Sequence, residues 1–142
     1  MHSRMVRSLA CAAFFAGSVT SAAATLTLRV TGIEAQTGAL MIAVFDSAEA
    51  FDNDGEAVRG IKVDVDADTL VVTVEDLEPG TYGVKMYHDA NGNGEMDTNM
   101  MGMPSEQYGF SGNKGRFGPP PFAKAAVEVV DGGDNETTIK LR

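Results

Sequence analysis

Polar and apolar residues alternate with period two from Thr25 to Val30, and again from Ile61 to Asp66, so each stretch predicts a half-buried strand. Residues 39–45 form an almost unbroken apolar run of strand length, Ala-Leu-Met-Ile-Ala-Val-Phe, which predicts a central strand covered on both faces. Residues 70–74 predict another strand, and the short link through Ala67 and Asp68 predicts that it forms a hairpin with the strand before it. Leu77-Glu78-Pro79-Gly80-Thr81-Tyr82 is a turn leading into a strand: Pro sets φ at one corner and Gly accepts a positive φ at the next. In the strand that follows, Tyr82, Val84, Met86 and His88 share one face, and Lys85 and Tyr87 share the other. Residues 46–60 read as polar and irregular, with Phe51 folded back on the core.

The pattern then changes. Residues 89–118 hold seven glycines, and Pro119-Pro120-Pro121 closes the stretch. A long loop over 89–123 is the expectation, and loops of that length are usually functional or ordered by a ligand. Two more strands are predicted at 124–130 and 137–141. The tally is seven short strands and no helix, an all-β chain arranged as a seven-stranded antiparallel Greek-key sandwich with one long Gly/Pro-rich loop. The loop carries Met100, Met101, Met103, Tyr108, Phe110, Phe117 and Phe122. So many large apolar side chains predict a flap packed over one open end of the sandwich.

The first 24 residues read differently. Arg4 and Arg7 precede a short apolar run, and Ala22-x-Ala24 supplies small residues at a cleavage site, so a cleaved signal peptide is expected over 1–24 and a single β domain over 25–142. The apolar run is too short to span a bilayer. Cys11 lies inside it, too close to Arg7 to be a lipidation site. Cleavage would leave 118 residues without cysteine, and the loss of the two arginines would move the net charge from −9 to −11. Such a chain repels nucleic acid and anionic lipid and attracts cations. The expectations are a periplasmic or secreted protein, an unknown protein or envelope partner, no nucleic acid and no membrane insertion.

The sharpest chemistry lies at the start of the long loop. Asp89-x-Asn91-x-Asn93-Gly94-Glu95-x-Asp97 has the D-x-N-x-N-G-x-x-D spacing of a calcium loop. Calcium takes six to eight oxygens, and this spacing turns alternate side chains into one concavity. Asp89, Asn91 and Asn93 occupy positions 1, 3 and 5; Glu95 offers its carbonyl at position 7, and Asp97 sits at position 9. Position 12 is Met100 instead of the bidentate Glu of an EF-hand, and the flanks are not helical. Glu106 is the nearest later carboxylate able to complete the shell, with Asp46 a looser candidate. With so few charged ligands the expected affinity is weak, on the order of 0.1–1 mM. The alternative is a plain Asn/Gly turn in a metal-independent envelope or adhesion module.

His88 is the sole histidine beyond the signal region and has no cysteine to join it in a zinc site. Its expected role is to hydrogen-bond and support the loop. Ser105 and Ser111 have no second histidine to activate them. A small hydrolase built on loop carboxylates such as Asp97 and Glu106 is the remaining catalytic alternative. No catalytic residue is assigned.

Several segments together carry a resemblance. They are residues 38–46, Leu77-x-Pro79-Gly80-Thr81-Tyr82-x-Val84, the 88–97 run, Gly102-x-Pro104-x-Glu106-x-Tyr108-Gly109-Phe110-Ser111 and Gly118-Pro119-Pro120-x-Phe122. The chain resembles the bacterial family catalogued as domain of unknown function 2141, which implies export and supplies no mechanism. The L-x-P-G-x-Y turn is more distantly similar to Ig-like/transthyretin-like and collagen-adhesin B-type sandwiches, some of which carry calcium loops that stiffen a stalk.

Overall fold

A computed structural model describes residues 23–112 and 118–142. The expected signal peptide lies outside the described residues except at its last two alanines, Ala23 and Ala24.

The chain is all-β, with two sheets. Strand β1 (Ala24–Thr31) lies between β4 (Leu70–Leu77) and β8 (Asn135–Lys140) in a three-stranded sheet. The second sheet has five strands. β2 (Ala39–Phe45) sits between β3 (Arg59–Asp64) and β5 (Gly80–Asp89). β5 also pairs with β6 (Tyr108–Phe110) along one part of its length and with β7 (Val127–Val129) along another. The alternation in β1 buries Ala24, Leu26, Leu28 and Val30, and the facing sheet contributes Leu40, Ile42, Val44, Val84 and Met86 to the same core cluster. Among the described residues no helix is long and apolar enough to cross a membrane.

Several sequence expectations are corrected. Among the described residues eight strands form, not seven, because the long loop rejoins the sheet as β6. The pairing is not wholly antiparallel: β1 and β8 run parallel, with Leu26 opposite Asn135 and Thr31 opposite Lys140. The strands on either side of Ala67-Asp68 do not form a hairpin; β3 pairs with β2, and β4 pairs with β1. The chain crosses between the sheets there, held by Val65 N donating to Gly38 O at 3.0 Å and Ile33 N to Asp68 O at 3.3 Å. Residues 124–130 are not one strand either. A short helix, α2 (Phe122–Ala125), precedes the three residues of β7.

A second short helix was also unexpected. Ser47 accepts from Ala50 N at 3.2 Å and caps α1 (Ala48–Asp52), as a serine does at a helix start. α1 carries Phe51, fully buried as foreseen, although on the outer side of the five-stranded sheet. Its ring meets Phe45 at 5.6 Å and Phe122 at 5.7 Å between centroids, both edge-on. Gly83 makes this approach possible, since a Cβ there would lie 2.7 Å from the Phe51 ring. The apolar flap is corrected too. Phe122 packs down, but Met100 and Met101 are 105% and 84% exposed, and Phe117 lies outside the described residues.

Candidate functional site

β5 delivers the start of the loop. Its last residue, Asp89, sits opposite Ala39 of the central strand and is only 1% exposed. A buried carboxylate needs donors. The loop backbone supplies them: Asn93 N donates to Asp89 Oδ1 at 3.2 Å and Gly94 N to Oδ2 at 2.8 Å. Gly94 has φ of +77°, a conformation that favours glycine, and this turns its N–H inward. Two further side chain–backbone bonds wind the loop, Asn93 N to Asn91 Oδ1 at 3.2 Å and Glu95 N to Asn93 Oδ1 at 3.0 Å.

Asp97 closes the loop. Asn93 Nδ2 donates to its Oδ1 at 2.7 Å, and Asn91 Nδ2 donates to its Oδ2. The backbone N–H of Asp97 donates to Glu106 Oε2 at 3.1 Å. The other oxygen of that carboxylate, Glu106 Oε1, is buried and has no hydrogen-bond partner among the described residues. The structure therefore brings together Asp89, Asn91, Asn93, Asp97 and Glu106, while the Glu95 side chain stays exposed. Asp46 is not among them. It follows Phe45, which pairs with Gly83, six residues along β5 from Asp89 and so about 20 Å away. Among the described residues no three His, Cys, Asp or Glu side chains gather closely enough to hold an ion by themselves. The loop's oxygens are divided between carboxylates and amides.

Tyr87 reads the local field. Its hydroxyl donates to Gly94 O at 3.0 Å. Burial, and then the charges of Asp89, Glu106 and Glu95, keep this phenol protonated to higher pH than usual. His88 lies on the opposite, inner face, 2% exposed, with Nε2 2.6 Å from Thr37 O. A carbonyl can only accept, so Nε2 carries the proton. Ser111, one of the loop serines, is buried between Val84 N at 2.8 Å and Ala125 O at 2.6 Å.

Beyond Asp97 the chain forms a tight hairpin over residues 97–105. Ser105 N donates to Asp97 O at 2.9 Å, Thr98 bridges Pro104, and Asn99 N donates to Met103 O at 2.8 Å. The Asn99 side chain accepts from Met101 N at 2.9 Å and Met103 N at 3.1 Å. Sequence reasoning singled out the 89–97 loop residues but not this hairpin. Its one visible signal was Asn99 ahead of Gly102-x-Pro104.

Fold and site together define an all-β protein with an Asx-rich loop wound at the end of a central strand. Residues 28–139 match the family described as an uncharacterized protein conserved in bacteria, domain of unknown function 2141, and the chain belongs to that family. No curated protein and no solved structure matches it.

Proposed function

We propose that this is an exported, non-catalytic binding or scaffolding protein whose 89–97 loop takes up calcium, with Asp89, Asn91, Asn93, Asp97 and Glu106 as oxygen ligands and the carbonyl of Glu95 beside them. The observation that carries the reading is Glu106 Oε1, a buried carboxylate oxygen with no donor among the described residues, on a side chain whose other oxygen is tied to Asp97. An unsatisfied buried acceptor of this kind costs about 1–3 kcal/mol, more when it is charged. A hard cation would satisfy it, and turning the Asn91 and Asn93 amides by half a rotation would aim their oxygens inward. The chain's acidity favours the same partner.

In its finer detail the fold is read as a sandwich of the Ig-like or transthyretin-like kind. Tyr82 OH donates to Glu78 O at 2.6 Å, four residues upstream, the geometry of the tyrosine corner in Greek-key sandwiches. The partner would be a protein or envelope component met outside the cytoplasm.

Melting of chelator-treated protein tests the reading. With a dissociation constant of ~0.1–1 mM, 10 mM calcium stabilises by about 1.4–2.7 kcal/mol. That corresponds to roughly 5–15 °C in Tm for a chain of this size. Glu106→Gln should abolish most of the shift without lowering the calcium-free Tm, because it removes an uncompensated charge and keeps the shape. A Tm indifferent to millimolar calcium would sink the reading.

One observation favours the second reading, a metal-independent module. The loop already closes on itself, with both oxygens of Asp89 and both of Asp97 accepting hydrogen bonds. Nothing comparable supports the hydrolase alternative, since the His88 ring is engaged by Thr37 O.

A further inference from the structure

Part of the outer face of the five-stranded sheet is apolar where a sheet surface would ordinarily be polar. Two cross-strand rows make its floor: Met41 beside Tyr87 beside Tyr108, and Ala43 beside Lys85 beside Phe110. The 97–105 hairpin stands along one side and contributes Met103, while Met96 reaches the same space from the loop before it. Between floor and wall lies a cavity of about 770 Å³. Ligand sites span ~300–1,000 Å³ and are mostly apolar, with few polar groups.

We propose that this cavity binds a small uncharged apolar molecule, with an aromatic or alkyl body and one hydrogen-bonding group. Charge decides the class. The two charged residues at its margin, Lys85 and Asp54, are paired with each other at 2.7 Å. The Lys85 ammonium also donates to Phe51 O and lies 4.6 Å from the Phe51 ring centroid. It is therefore already satisfied, and among the described residues that line the cavity there is no other cation for an anionic head group. The chain's net charge of −9 opposes both an anionic ligand and a second copy of the same chain. The Tyr108 hydroxyl has no hydrogen bond among the described residues, and it lines the cavity as the group that would orient the ligand. Unbranched thioethers at Met41, Met96 and Met103 allow the walls to adapt to different shapes. The site goes beyond the calcium reading and does not rest on it.

The test is titration of the protein with N-phenyl-1-naphthylamine, an uncharged fluorophore, in chelator and again in calcium, so that either reading can fail alone. The expected result is saturable one-to-one binding in both. Ala43→Phe, which fills the floor, and Met103→Glu, which puts a charge on the wall, should each weaken it by about tenfold or more. Met103 is 58% exposed, so its replacement leaves the core intact even if Ala43→Phe fails to fold. Binding that never saturates, or that is equal in wild type and Met103→Glu, overturns the proposal. So does equal affinity for 8-anilinonaphthalene-1-sulfonate, which carries a charge. Dimerisation that excludes the probe would assign the face to a second copy and would likewise overturn it.

Discussion

Ser111 has no exposed surface, and its hydroxyl is used twice, accepting from Val84 N and donating to Ala125 O. One small side chain thereby ties the end of β6 to β5 and to the end of α2. Ser111→Ala leaves a buried N–H and a buried carbonyl without partners, and is expected to cost about 1–3 kcal/mol in urea unfolding with an unchanged m-value. Nothing in the sequence marks this serine as a structural tie, because a lone hydroxyl in a Gly-rich stretch has no periodicity and its partners are 27 and 14 residues away. Glu106 was legible as the next carboxylate along the chain, and it does reach the loop, accepting from Asp97 N. His88 was legible as a hydrogen-bonding residue, but its ring's acceptor is Thr37 O, 51 residues earlier and outside the loop it was expected to support.

Among the elements, those with strong alternation or a continuous apolar run were plain in the sequence. β1, β2 and β5 formed where expected, and the two faces of β5 were assigned correctly. Alternation specifies which face of a strand is buried, not which neighbour it pairs with. That is why β3 and β4 read as a hairpin and yet lie in different sheets. β6 and β7 have three residues each and α2 has four, too few for any period to show. The 97–105 hairpin shows no period for the same reason, and one residue dominates its tip. Asn99→Ala removes the acceptor for the Met101 and Met103 amides, and native-state hydrogen exchange should quicken at those two positions while β2 and β5 keep their protection. Equal quickening in β5 would mean that the hairpin does not open as a separate unit.

For the whole molecule, twenty acidic residues against eleven basic ones make self-repulsion a general term in stability. Raising sodium chloride from low to physiological strength should therefore raise Tm modestly as the charges are screened. Calcium chloride at the same ionic strength should add a further increment in wild type and much less in Glu106→Gln, which separates screening from a bound ion in one set of melting curves. Ordinary cation screening would give coincident curves for the two salts. The all-β class could be read from the chain as a whole, and so could the acidity. The parallel contact between β1 and β8 could not, because it joins residues more than a hundred positions apart.

That contact has a mechanical meaning. β1 and β8 lie side by side and point the same way, so a pull between Leu26 and Lys140 acts along both strands in opposite directions. Their hydrogen bonds are then loaded together in shear and do not peel one after another. A tethered protein stretched in this way would resist force far better than one with antiparallel terminal strands joined at the loaded end.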